Sequence, residues 1–410
     1  MRLSRLALAV SLGLVTTQTF AGPQAFTTAR SFAMGGTGVA VAHPASANTS
    51  NPAMMAAKHH EWADDFGVIF PSVSARFADD EEVLDQIDAI QDTIDRINES
   101  ANNNNIAGVQ QGAGALESQL RELNQDTARA DAGLGFSIAL PLEHFSVGVF
   151  ADASVRATTR GNVSDSDLLI LDQIENDAVT AGTVNDIGDQ LTSDGTIIAA
   201  AVGEVGISIA HAFEVADNRT LSVGVSPKYV QLRTFEYRQD VSDFEDDDFD
   251  ADEYQTDDSG FNVDLGAAYA FGNEQNWTAG LAVRNLIPMD LESNSGRTFE
   301  LEPTVTAGIA HQGSMHVLTA EVDLTKNKAF GYGDDTQWLA LGAEFDVFRY
   351  VQLRGGVRQN LASNDNNAGI EETTQFTFGL GVSPFGAHLE LSGLVSDTEM
   401  GAAIELGAAF

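Results

Sequence analysis

Residues 35–38 read Gly-Gly-Thr-Gly, the first stretch of this chain whose residue types and spacing could do chemistry. Closely spaced glycines let backbone N–H groups converge on an anion, as in phosphate-binding loops. A phosphate loop of the nucleotide-binding kind ends in Gly-Lys-Ser/Thr, and no Lys follows here. A dinucleotide fingerprint needs a third glycine where this chain has Val41. A second candidate is the acidic run 240–258. There Asp248, Asp250 and Asp252 have the alternate-residue spacing of a calcium loop. Glu253 stands where that loop needs Gly, and Ser259 where it needs a bidentate Glu. The run reads as a solvated external loop, with loose divalent-cation binding or bridging to lipopolysaccharide as the alternative. The third is His59-His60 beside Glu61. Catalysis needs a nucleophile or carboxylate in register with a base, and the 8 His are scattered. No catalytic, cofactor or metal set emerges, so the chain is expected not to be an enzyme.

The elements that hold these residues follow from composition and period. Among 410 residues, 21 Lys and Arg face 60 Asp and Glu, for a formal charge of −39. Such a charge repels nucleic acid. There is no Cys, which excludes disulfides and thiolate metal sites. Arg2 and Arg5, the apolar stretch 6–15 and Thr19-Phe20-Ala21 have the form of a secretory signal over 1–21, so the mature chain is expected to begin near Gly22. No later apolar run approaches the roughly 18 residues of a helical membrane span.

Much of the chain instead alternates apolar with polar or small residues. Leu339, Leu341, Ala343, Phe345 and Val347 share one face, and Ala340, Gly342, Glu344 and Asp346 the other. Period two means strands with one apolar face. About fourteen such segments, near 66–77, 131–141, 144–159, 196–213, 219–238, 259–272, 275–286, 302–312, 314–325, 336–348, 350–361, 373–384, 387–396 and 401–410, are each long enough for a tilted transmembrane strand. Their connections alternate short (141–143, 214–218, 272–274, 312–313, 349, 385–386) and long (78–130, 160–195, 239–258, 287–301, 326–335, 362–372), with a last hairpin near 396–400 that is short. Phe213, Phe271, Trp277, Phe348, Tyr350, Phe385 and Phe410 collect at the short-turn ends. Long loops on one side, aromatic girdles and an even strand number describe an antiparallel outer-membrane β-barrel rather than a secreted soluble β-protein. The last strand closes on Phe410, the form of an insertion signal read by the barrel assembly machinery. The barrel spans 66–410, and the surrounding partners are outer-membrane lipid and lipopolysaccharide.

Two long loops carry helical periods. Val83, Ile87, Ile90, Ile94 and Ile97, then Val109, Ala113, Leu116, Leu120 and Leu123, form a helical hairpin broken at Asn102–Asn105, and Leu168, Leu171 and Ile174 predict another helix. These inserts lie near 80–125 and 165–191 and are expected to pack on one another. Residues 22–65 are rich in small residues and restricted by Pro44 and Pro52, which suits a plug in a barrel lumen. Glu321, Asp323, Glu344, Asp346, Glu390, Glu405, Arg284, Arg354 and Arg358 should face inward, with Glu344 and Arg354 on adjoining strands. Pro71 and Pro227 fall in strands whose apolar parity changes beside them. Proline cannot donate to a ladder, so a bulge or gap is expected there.

The stretch Ala29-Arg30-Ser31-Phe32-Ala33-Met34-Gly35-Gly36-Thr37-Gly38-Val39-Ala40, followed by Asn51-Pro52-Ala53, resembles the N-terminal hatch of the FadL-like long-chain fatty-acid transporter superfamily, whose barrels have fourteen strands. Val283-Arg284-Asn285-Leu286-Ile287-Pro288, Glu321-Val322-Asp323-Leu324-Thr325-Lys326 and Leu353-Arg354-Gly355-Gly356-Val357-Arg358-Gln359-Asn360-Leu361 resemble the TraF-type conjugal transfer branch. The resemblance implies a plug built on Gly35, Gly36, Gly38, Asn51 and Pro52, a hydrophobic ligand taken up passively, and sideways release at a kinked strand near Pro71 or Pro227. The alternative it implies is a structural or assembly role with envelope or conjugation proteins in a transfer or secretion apparatus.

Overall fold

The structure, a computed structural model, describes residues 26–57, 66–79, 81–142, 145–176, 187–241, 251–328, 330–332, 335–347, 350–362, 370 and 372–409. The stretch read as a signal peptide, His59-His60, Asp248, Asp250, Phe348 and Phe410 lie outside them.

The alternating segments form strands β1 (Phe66–Ala78), β2 (Thr127–Pro141), β3 (Ser146–Asn162), β4 (Asp194–Ala216), β5 (Arg219–Asp240), β6 (Gln255–Phe271) and β7 (Trp277–Arg284). After the short pair β8 (Met289–Glu292) and β9 (Thr298–Leu301) come β10 (Thr304–Gln312), β11 (His316–Asp323), β12 (Trp338–Val347), β13 (Val351–Asn360), β14 (Thr374–Val382), β15 (Ala387–Val395) and β16 (Glu399–Ala409). All but β8 and β9 join one closed antiparallel barrel of fourteen strands, sealed where β1 pairs with β16. Each segment expected from the alternation is a barrel strand. The β8–β9 hairpin was not expected, because its four-residue strands sit inside a loop read as coil.

Closure removes every sheet edge, and the pleat then sorts side chains into two environments. Phe70, Leu134, Ile207, Phe261, Leu281, Leu341, Phe376, Phe378 and Ile404 point outward and are exposed. Glu204, Lys228, Asp264, Glu321, Glu344, Arg354, Glu390 and Glu405 point inward and are buried. Charge inside and hydrocarbon outside is the arrangement that suits a lipid surround. No helix among the described residues is long and apolar enough to cross a membrane. At the short-turn end Trp277 stacks on Phe271 (6.4 Å) and meets His311 edge-on (4.8 Å), part of an interfacial aromatic set.

The wall is uneven. β4 and β5 run for 23 and 22 residues, whereas β7 and β11 have 8 each. The tall side carries the inserts. Helices α3 (Val83–Asn102) and α4 (Ile106–Leu123) form the expected hairpin, with Asn105 capping α4 through Gly108 N (3.1 Å), and α5 (Asp165–Asn176) packs beside them. Their apolar stripes share one core, which includes Ile90, Ile97, Leu116, Leu120 and Leu171. The buried Asp167 staples α5 to the chain returning to β4, accepting from Thr192 N (2.8 Å) and Ser193 N (2.6 Å).

The two prolines differ. Around Pro71, two residues of β1 oppose one on each neighbour: Ile69 pairs with Gly407 and Ser137, and Ser72 with Glu405 and Gly135. That bulge moves the outward set from Val68 and Phe70 to Val73 and Phe77, so the apolar parity change has a backbone cause. At Pro227 the register does not shift, although the ladder to β4 passes from Gly206–Lys228 to Ile209–Val225 without intervening pairs. Even-numbered residues of β5 face inward on both sides of Pro227. Val230 and Leu232 are therefore apolar residues in the lumen, and reading them as a parity switch is corrected.

The hatch, residues 26–57, lies across the lumen as α1 (Ala29–Ala33), α2 (Pro44–Ser50) and a 3-10 turn at Pro52–Ala56. Inward glycines on five strands are its sockets. A methyl group on Gly224 would meet Ala53 N at 2.5 Å, on Gly280 Val39 O at 2.3 Å, and on Gly356 Gly35 N at 2.4 Å; Gly266 and Gly342 meet Asn51 and Met34 in the same way. These contacts are to backbone or buried groups that cannot step aside. Gly280→Val should therefore leave a folded, heat-modifiable barrel with a displaced hatch. Planar-bilayer recording should show severalfold higher conductance than wild type, and unchanged conductance would refute the socket role.

Candidate functional site

The Gly-rich turn does cradle an anion, and the anion is the protein's own. Glu321, buried on β11, accepts from the backbone N–H groups of Gly38 (3.0 Å), Val39 (2.8 Å) and Ala40 (3.2 Å). Gly35 and Gly36 make the turn possible, with φ of +76° and +87° that side chains rarely adopt. A carboxylate shared among three N–H donors satisfies groups that would otherwise be buried without partners.

Other bonds tie the hatch around the barrel. Arg30 donates to both oxygens of Glu344 (2.9 and 3.2 Å) and to Val41 O (2.7 Å). Ala29 N donates to Glu405 Oε2 (3.1 Å), and Thr377 Oγ1 accepts from Gly35 N (2.9 Å). Asn51 is fully buried. Its Nδ2 bridges Val39 O (2.7 Å) and Ala267 O (3.2 Å), and its Oδ1 caps the 3-10 turn that Pro52 opens. The structure thus gathers Gly35, Gly36, Gly38, Asn51 and Pro52 in one hatch. Pro71 and Pro227 lie in the wall on β1 and β5.

The lumen carries three buried ionic groups. Arg354 bridges Glu344 and Glu390. Glu344 lies opposite Arg354 in the β12–β13 register, as expected from the sequence. Lys228 pairs with Glu204 (2.8 Å) and Asp264 (2.9 Å). Toward the long-loop end, Arg129 meets Glu372 (2.6 Å) and Glu399 (3.2 Å), and Arg156 meets Asp131 (2.6 Å). Burial alone would raise the Glu372 carboxyl, but Arg129, Arg156, Arg76 and Arg358 hold it below its ordinary 4.5.

An apolar surface completes the interior. Inward Ile198, Val202, Val230 and Leu232 meet Leu291 and Phe299 of the β8–β9 hairpin, and Phe330 closes against them. Tyr332, beside Phe330, lies against the Arg160 guanidinium (4.6 Å) and that of Arg297 (5.2 Å). Burial pushes its phenol up, so it stays neutral. A cavity of about 220 Å³ lies between hatch and hairpin, lined by Gly36, Val39, Asp152, Val202, Arg284, Leu301, Glu321, Trp338 and Arg358 among others. Its size suits a molecule of one aromatic ring, since a cavity of roughly 150 Å³ can hold benzene. Asp152, the Arg129 group and the hairpin were not singled out from sequence. The period-two pattern marks their faces but not their partners. Among the described residues no group of three or more metal-ligating side chains converges.

Two predictions follow from these contacts. Glu321→Ala strips three N–H groups of their acceptor, a loss of about 2 kcal/mol or more. The hatch should then become sensitive to added protease at concentrations that spare it in wild type. For Glu372, a pKa depressed on folding means stability that is full above pH 4.5 and lost as pH falls through the folded value. The Tm advantage of wild type over Glu372→Gln should be constant above pH 4.5 and shrink below it. A constant difference down to pH 3 would contradict this assignment.

Comparison with known proteins gives the same fold. The TodX deltaS2S3 mutant monoaromatic hydrocarbon channel is similar with a TM-score of 0.54 and 12% identity, over 94% of this chain and 99% of that one. The Pseudomonas putida toluene transporter TodX gives 0.52 and 13%, over 93% and 98%. The CymD monoaromatic hydrocarbon channel gives 0.52 and 13%, over 95% and 97%. At these identities the likeness shows the fold alone. No curated protein matches the chain. The family described as "F plasmid transfer operon, TraF, protein" matches residues 49–323, more than half of the sequence. The chain belongs to this TraF family.

Proposed function

We propose that this chain is an outer-membrane channel, not an enzyme, that admits a small hydrophobic molecule through its hatched barrel. The observation that carries the reading is the apolar patch that Val202 and Leu301 give to the lining of a one-ring cavity floored by the hatch, backed by Ile198, Val230, Leu232, Leu291 and Phe299 packed with the β8–β9 hairpin. A water-filled pore has no use for such a patch, because apolar lining only weakens hydration. The similar structures named as toluene and monoaromatic hydrocarbon channels support the same class of cargo. The apolar outer band fits outer-membrane lipid flanked by lipopolysaccharide, with export by the 1–21 signal and insertion by the barrel assembly machinery. Domain limits of 22–65 for the plug and 66–410 for the barrel belong to this proposal.

Sideways release fits the Pro71 bulge better than Pro227. The bulge interrupts pairing on both sides of β1, and Ile69 beside it packs on Ala45 of the hatch. A second reading draws on the family's description and on the helical cap of α3, α4 and α5: a structural component of a conjugal transfer or secretion apparatus that touches envelope proteins. The two separate in cells. Under the uptake reading, expression in a Gram-negative host of low outer-membrane permeability raises initial entry of radiolabelled toluene severalfold, and Pro71→Val lowers that gain. Unchanged entry, together with loss of mating on deletion of the gene, would favour the apparatus.

A further inference from the structure

One end of the cavity holds polar atoms that the fold leaves unused. Asp152 on β3 lies directly opposite Glu204 on β4 and is only 7% exposed. Its Oδ2 has no hydrogen-bond partner. Asn285, 6% exposed, donates its backbone N–H to Asp264 Oδ1 (2.8 Å), yet its Oδ1 is unpartnered. Arg284 sits 3.6 Å from Glu204, and its Nε is unpartnered. Asp152, Arg284 and Asn285 all line the same cavity, with Val202 and Leu301 of the apolar cluster.

Three carboxylates, Asp152, Glu204 and Asp264, face two cations, Lys228 and Arg284. Lys228 is committed to Glu204 and Asp264, and Arg284 to Glu204, so none of these cations lies within ion-pair distance of Asp152. The lining of the cavity therefore offers two open oxygens and one open donor, together with apolar Val202 and Leu301.

Building on the uptake reading, we infer that the cargo is an amphipathic small molecule, an apolar body bearing a neutral hydrogen-bond-donating head such as a hydroxyl. A hydroxyl donates to Asp152 Oδ2 or Asn285 Oδ1 and accepts from Arg284 Nε, which matches the atoms left open. A bare hydrocarbon leaves all three unsatisfied, and a carboxylate has no proton to donate to Asn285 Oδ1.

The test uses the purified full-length barrel in mild detergent and three probes of one shape: benzyl alcohol, toluene and benzoate. Titration calorimetry is corrected against barrel-free micelles. Benzyl alcohol should bind about tenfold tighter than the other two, the scale of one net hydrogen bond. Asp152→Leu should reduce it to the level of toluene. If that variant does not fold, Asp152→Asn keeps an acceptor oxygen at the same place, so it should retain the preference for the alcohol. Equal binding of alcohol and toluene, or tightest binding of benzoate, overturns the head-group inference while leaving uptake standing. Failure of all three probes to bind, together with unchanged toluene entry into cells, overturns both.

Discussion

A plug inside a barrel is surrounded by wall on every side, so each of its backbone groups must find a partner without water. The carboxylate of Glu321 meets that constraint for the tightest part of the hatch, where Gly38, Val39 and Ala40 present their N–H groups together. The rest of the lumen is arranged around this contact. Arg30 reaches Glu344 on the next strand, Ala29 reaches Glu405, and wall glycines leave room for the hatch backbone. The glycine-rich turn has the geometry of an anion nest, and the protein fills it from within.

The same constraint explains where the charges and the apolar groups go. The outward faces of the strands form an apolar band, and the polar side chains turn inward. There, Arg129, Arg156, Lys228 and Arg354 pair with carboxylates because an unpaired buried charge is costly. Against that background the inward Val230 and Leu232 stand out. They are not needed to face lipid, and the fold spends a hairpin, β8–β9, to cover them.

The barrel was legible in the sequence because lipid imposes one rule on every strand. Leu339, Leu341 and Phe345 must alternate with small or polar residues wherever one face meets hydrocarbon. Gly35 and Gly36 could be singled out in the sequence because few other residues adopt their positive φ, and Asn51-Pro52 because an Asn side chain caps the turn that a Pro opens. The sockets were not, because Gly224 or Gly280 in a strand gives no sign of what approaches it. Pro227 misled for a related reason. Period two assumes a polar lumen, and Val230 and Leu232 break that assumption rather than the register. The partners of Glu321 lie 281 to 283 residues away in sequence, and no local pattern encodes such a pairing.

The central claim is that this barrel is built to hold a small, largely apolar molecule above a closed hatch. Native mass spectrometry of the barrel purified in mild detergent, with organic extraction of the same sample, tests it most directly. The account predicts a stoichiometric small-molecule adduct that exchanges with added ligand and falls in occupancy when Gly36→Trp distorts the hatch. An empty barrel that instead co-purifies with envelope proteins would contradict it.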